Sequence, residues 1–210
     1  MKKMILTVAA LFFLLSFNSH KKKQWVSLFN GKSLDGWKAG DNAGTFSVQD
    51  GAIAANGNVA HLFYEGPVHD HSFKNFEFRA DVMTLPGSNS GIYFHTQYQD
   101  SGWPQKGYEA QVNNSHTDWR RTGSLYAIQD VKEVYVKDNE WFTEYIKVEG
   151  KHIIIKINDK GVVDYTEPEN VTREKGMEGR VLSSGTFALQ GHDPGSKVYF
   201  KNIMVKVLPD

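Results

Sequence analysis

The chain has 210 residues, 24 Lys+Arg against 24 Asp+Glu, and no cysteine. That length fits one domain and buries about two-thirds of the surface an unfolded chain exposes. A disulfide framework, a thiolate metal site and a cysteine nucleophile are excluded, and a zero net charge offers no electrostatic basis for nucleic-acid binding.

Lys2 and Lys3 precede an almost unbroken apolar run from Met4 to Leu15, followed by small or polar residues over Ser16 to Ser19. This is the layout of a secretory signal peptide over residues 1–19, too short for a comfortable membrane span. The expectation is export to the periplasm or beyond, with no membrane association after cleavage. Residues 20–24 then read as a leader stub, and 25–210 as one domain. Without the leader, 22 basic residues face 24 acidic ones, so the mature chain is slightly acidic.

The rest reads as short segments between turn signals. Trp25 to Phe29 runs into Asn30-Gly31, and Thr45 to Val48 into Asp50-Gly51. Phe73 to Met83 alternates, with Phe76, Phe78, Ala80 and Val82 on one face and Glu77, Arg79 and Asp81 on the other. Gly91 to Tyr98 sets Ile92, Phe94 and Thr96 against Tyr93, His95 and Gln97. Tyr108 to Val112 sets Tyr108, Ala110 and Val112 against Glu109 and Gln111. Ser124 to Ile128 reads as a short strand. Phe142 to Glu149 and His152 to Asn158 flank Gly150-Lys151 as a hairpin, and Val162 to Tyr165 follows a turn. Asn170 to Lys175 is the one helical candidate. Thr186 to Gly191 and Val198 to Leu208 close the chain. With 13 Phe, 9 Tyr, 5 Trp and 19 Gly, ten to twelve strands point to an all-β, antiparallel two-sheet sandwich. Gln99 to Gly107, with Trp103, and Asn113 to Thr122, with Trp119, read as surface loops of binding length.

Glu77/Arg79/Asp81, Tyr93/His95/Gln97 and Glu109/Gln111 repeat polar residues at period two. If their strands are neighbours, they line one face rich in carboxylates, amides and rings, a set that suits sugar hydroxyls. An ordinary solvated sheet face explains the pattern equally well. Glu109 is the sharpest single candidate for a general acid or base, against a salt bridge to Arg79 or Arg120. His69-Asp70-His71 lacks a third metal ligand and reads as a solvated loop. Gln190 and His192 can project together at a sheet end.

The ordered blocks Leu28-Phe29-Asn30-Gly31-Lys32, Asn89-Ser90-Gly91-Ile92-Tyr93-Phe94, Tyr108-Glu109-Ala110-Gln111-Val112, Thr122-Gly123-Ser124-Leu125-Tyr126 and Leu189-Gln190-Gly191-His192 resemble the 3-keto-disaccharide hydrolase family. The resemblance covers about residues 25–208. It implies a concanavalin A-like jelly-roll sandwich and cleavage of a glycosidic bond in a sugar already oxidised at C3. It makes Glu109 the base or acid and Gln111 a sugar ligand. It offers Arg79, His95, Gln190 and His192 for oxyanion or hydroxyl contacts, and Tyr126 for stacking or donation. Tyr93, Trp103 and Trp119 complete the aromatic stock for a sugar. Where this chain has His95, the family commonly has Arg. The expected partner is a carbohydrate. No cofactor is evident, a divalent metal stays open, and the oligomeric state is not legible. The alternatives are a non-catalytic carbohydrate-binding sandwich and, less favoured, an endoglucanase with paired carboxylates.

Overall fold

The computed structural model describes residues 24–210, so the leader expected over residues 1–19 and the stub to residue 23 lie outside the described residues. The strands are β1 (Val26–Ser27), β2 (Trp37–Ala39), β3 (Phe46–Gln49), β4 (Ala52–Ala55), β5 (Ala60–Tyr64), β6 (Phe76–Thr84) and β7 (Ser90–Thr96). They continue with β8 (Tyr108–Val112), β9 (Phe142–Glu149), β10 (His152–Ile157), β11 (Lys160–Thr166), β12 (Thr186–Gly191) and β13 (Val198–Val207). One sheet runs β11-β10-β9-β6-β13-β4-β3, with β1 also on β13. The other runs β2-β5-β12-β7-β8. Every pairing is antiparallel. This is the expected all-β two-sheet sandwich.

The alternation drives the packing. Phe76, Phe78, Ala80 and Val82 of β6 are fully buried, as are Ile92 and Phe94 of β7 and Ile153 and Ile155 of β10. Phe187 of β12 ties the sheets together, with its ring centroid 4.5 Å from Phe78, 4.8 Å from Phe73 and 4.9 Å from Phe76. Losing such a ring to Ala costs about 3–5 kcal/mol. One core position breaks the pattern. Glu144 of β9 is fully buried, and neither carboxyl oxygen has a hydrogen-bond partner among the described residues. Burial, and then the charge of Glu109, push its carboxyl well above the usual range.

Three departures from the sequence reading have clear causes. Ser124 to Ile128 is a turn, not a strand: the Ile128 and Gln129 N–H groups both donate to the Leu125 carbonyl, and Ala127 sits at φ 61°. Asn170 to Lys175 is irregular rather than helical. The strands β4 and β5 are buried along their whole length, so they carry no polar alternation to read.

Candidate active site

The site lies on the outer face of the five-stranded sheet. Ile92, Phe94, Tyr108, Ala110, Val112, Phe187 and Leu189 face the core. Their neighbours along β7, β8 and β12 therefore face outward. Cross-strand register assembles two rows. Tyr93 opposes Glu109 and Ala188, while Gly91 opposes Gln111, and Gln190 opposes His61 on β5. Loops close over this face, so Glu109, Gln111 and Gln190 are all nearly fully buried. What remains is a cavity of about 330 Å³, bordered by Tyr93, Glu109, Gln111, Gln190, Tyr126, Trp103 and His192. Its size lies at the small end of ligand pockets.

Glu109 is the centre of the floor. Its Oε1 accepts from Gln190 Nε2 at 3.0 Å, and its Oε2 faces Arg180 Nη2 at 3.3 Å. Tyr93, whose hydroxyl takes a hydrogen bond from Gln190 Nε2 at 3.1 Å, also hydrogen-bonds the carboxylate. Burial pushes the Glu109 carboxyl above its ordinary value, although Arg180, Tyr93 and Gln190 all oppose the rise. Gly91 makes the room. A Cβ there would collide with Glu109 Oε1 and lie 2.9 Å from its Cγ.

Three polar atoms of this wall have no partner among the described residues: Gln111 Oε1, Gln190 Oε1 and Arg180 Nη1. Unpaired buried polar groups cost stability unless a ligand or water meets them. Two acceptors and one cationic donor around a carboxylate match a ligand with hydroxyls and one electron-rich oxygen.

Arg180 arrives from the irregular segment between β11 and β12, which is tied down from behind. Arg173 Nε donates to the Arg180 carbonyl at 2.6 Å, and its Nη2 donates to the hydroxyls of Tyr108 and Tyr165 at 2.7 and 3.0 Å. Glu167 accepts from the Tyr108 hydroxyl and from the Leu182 N–H. Gly107 N–H donates to the Gly179 carbonyl at 2.9 Å. Tyr126 is half-buried between the Arg120 and Arg180 guanidiniums, 4.6 and 5.2 Å from its ring centroid.

The rim is a row of rings. Trp103, 46% exposed, lies 5.3 Å from the His61 ring and 5.7 Å from that of His192. His61 is buried, and burial lowers it to about 4, so it is neutral at physiological pH. His192 Nδ1 meets Asp193 Oδ2 at 2.7 Å. Burial tends to raise Asp193. Hydrogen bonds from Ser196, His192 and the Gly195 N–H outweigh this and hold the carboxyl below its usual value. An ionised Asp193 must accept, so His192 carries its Nδ1 proton there. His116, His192 and Asp193 offer ligand atoms within 4.8 Å of one another, the one such group among the described residues. However, His116 Nδ1 accepts the Asp118 N–H at 3.1 Å, which leaves its ring proton on Nε2. A metal shared by these residues would have to displace that proton.

Three expected residues do not border the cavity. Arg79 belongs to β6, in the other sheet, and projects from that sheet's outer face. Its guanidinium lies 4.7 Å from the Trp25 ring centroid, in a separate depression with Tyr145 and Lys156. The polar stripe of β6 is therefore not next to those of β7 and β8. His95 is 1% exposed and sits at φ 56° on a bulge, where Phe94 and His95 of β7 lie opposite the single Phe187 of β12. The bulge breaks the alternation and re-aims the side chain. Its Nε2 meets the Lys74 carbonyl at 2.9 Å and its Nδ1 accepts the Ser183 N–H at 3.2 Å, so it clamps backbone and stays neutral, with burial lowering it to about 4. Trp119 is 47% exposed and stacks with Arg120 outside the cavity. In the other direction, sequence reasoning passed over Arg180, Asn89 and His61. Asn89 accepts from Gln111 Nε2 at 3.1 Å and so orients that amide. Only the length of the irregular segment carrying Arg180 hinted at a functional loop.

Several known proteins resemble the chain. It is 25% identical to the 3-keto-disaccharide hydrolase of Bacteroides thetaiotaomicron over 231 aligned residues, covering 88% of this chain and 78% of that protein. A candidate glycosyl hydrolase of Parabacteroides distasonis superposes with a TM-score of 0.74 at 23% identity, over 88% of this chain and 94% of that one. The carbohydrate-binding module CBM66 of Bacillus subtilis shares the fold at a TM-score of 0.58 and 15% identity, over 81% and 95% of the two chains. The model of the 3-keto-α-glucoside-1,2-lyase-like domain matches residues 24–206, nearly all of the described chain, and the protein belongs to this family.

Proposed function

We propose that this chain is an exported carbohydrate-active enzyme that cleaves 3-keto-glycosides by proton abstraction at C2, elimination of the C1 substituent, and hydration. The observation that carries the reading is one buried carboxylate flanked by an unspent cationic donor. Glu109 is raised by burial, and Arg180 Nη1 beside it has no partner among the described residues. Export rests on the apolar run behind Lys2 and Lys3.

The chemistry follows from the ketone. A carbonyl at C3 acidifies the C2 proton. The Glu109 carboxylate takes that proton, and a raised basicity favours the transfer. Negative charge develops on the C3 oxygen, where Arg180 Nη1 can donate. The unpaired carbonyls of Gln111 and Gln190 accept from the sugar hydroxyls. The enolate then re-forms the C3 carbonyl, opens a C1–C2 double bond and expels the aglycone. No second carboxylate nucleophile is needed, unlike in ordinary glycosidases.

Purified protein incubated with a 3-keto-glucoside should release the aglycone, and Glu109→Gln should lower the rate about 10²–10⁴-fold. Equal release by both proteins removes Glu109 from the mechanism. The likeness to a carbohydrate-binding module, with Trp103 exposed at the rim, favours a second reading as a lectin. Tight calorimetric binding of an unoxidised glycan without turnover would support it.

A further inference from the structure

Elimination from an enolate is easy for an acidic leaving group and slow for an alkoxide, which needs a proton as its bond to C1 breaks. We propose that His192 supplies that proton, and that Asp193 is the positioning residue which fixes the nitrogen that does so. The inference rests on the 3-keto-glycoside reading and extends it to the leaving group.

The geometry is specific. His192 follows β12 directly, two residues beyond Gln190, and borders the same cavity as Glu109. Its Nδ1–H is held by Asp193 Oδ2 at 2.7 Å. Asp193 is itself fixed by Ser196 Oγ at 2.7 Å and by the Gly195 N–H at 2.8 Å. Base, orienting carboxylate and support for that carboxylate thus form one chain, the arrangement that activates histidine in other catalytic sites. Packing of the His192 ring, 5.7 Å from Trp103 and 5.4 Å from His116, limits its rotation. Because Nδ1 is committed to Asp193, only Nε2 can exchange a proton with the cavity. Among the described residues, no group is hydrogen-bonded to it.

The step balances. Glu109 gains the C2 proton, and the C2–H electron pair passes through the enolate to form C1=C2 as the C1–O bond breaks. The aglycone oxygen takes the Nε2 proton of the His192 imidazolium and leaves as an alcohol. Neutral His192 then removes a proton from water at Nε2 as the hydroxide adds to C1. Glu109 returns its proton to C2. The sum is glycoside plus water giving 3-keto sugar plus alcohol, with both side chains restored.

The test compares methyl and 4-nitrophenyl 3-keto-glucosides with wild type, His192→Gln and Asp193→Asn, each checked for native fold by circular dichroism. The nitrophenolate leaves without a proton, so a lost acid should matter little for it. For His192→Gln, kcat should fall about 10²–10⁴-fold on the methyl glycoside and less than about tenfold on the nitrophenyl one. Asp193→Asn, which removes only the orientation, should show the same selectivity at about 10–100-fold, with KM little changed. A merely structural role would lower both substrates together. Equal losses on the two therefore overturn the acid assignment, while leaving the function intact. Wild-type protein that releases neither aglycone overturns both. Should His192→Gln not fold, the leaving-group selectivity of Asp193→Asn decides the matter by the same criterion.

Discussion

Replacing Arg180 by Gln tests the electrostatic core of the site. The Nη2···Oε2 separation is 3.3 Å, and the two side chains are 13% and 4% exposed. At an effective dielectric near 20, unit charges at that distance attract by about 5 kcal/mol. Desolvation of both groups offsets part of this, and removing one member of a buried pair typically costs about 3–5 kcal/mol. Burial already pushes Glu109 up, with Arg180 the largest opposing influence. Its loss should raise the carboxyl further. The sign is therefore an acid limb of kcat/KM displaced to higher pH, because the base ionises later. Losing the oxyanion donor should also lower kcat by about 10²–10³-fold. The assay is aglycone release across pH, alongside the carboxyl ¹³C resonance of Glu109 in labelled protein. If Glu109 titrates in the variant within a few tenths of a unit of wild type, Arg180 is not its counter-charge and the reasoning fails.

Three further outcomes are expected. Gly91→Ala should displace the Glu109 carboxylate, since the new methyl meets Oε1, and lower kcat about 10²-fold for a shift of roughly 1 Å; an unchanged kcat with Glu109 displaced in a crystal structure would argue against its role. His61 and His95 fall from 6.5 to about 4 through burial. Unfolded chains therefore bind more protons than folded ones in that window. Stability is fully present above pH 6.5 and is lost toward pH 4 at about 1.4 kcal/mol per pH unit per histidine, which urea titrations at pH 7 and 5 would detect. Flat stability over that range would mean that neither ring is held neutral. Glu144 has the opposite sign: its carboxyl is raised, so stability is present below its unfolded value and lost as pH rises. Glu144→Met should raise Tm at pH 7 or above, with the gain shrinking toward pH 4.5; a lower Tm at every pH would expose a compensating partner.

Much of the fold was legible in the sequence because strand alternation is a local property. Phe76 to Val82 and Ile153 to Ile157 declare their buried faces without any knowledge of neighbours. Glu109, Gln111, Gln190 and His192 stood out for the same reason, as polar residues at positions regular enough to share a face. Arg79 shows the limit. Its outward direction on β6 was readable, but the sheet that β6 joins was not. Sheet membership is decided by partners far along the chain, here β13 and β9, and by which apolar faces close on one another. His95 shows a second limit, because one extra residue in β7 inverts a side chain that strict period two points outward.

The amino-acid pattern alone determined the sandwich, the buried faces and the carboxylate on β8. Only the tertiary structure decided which cation meets that carboxylate. Arg180 reaches Glu109 across 71 residues of chain, from a segment without periodicity, held by Arg173 and Glu167. No local signal encodes such a contact, since it exists only once both sheets and the segment between them have packed.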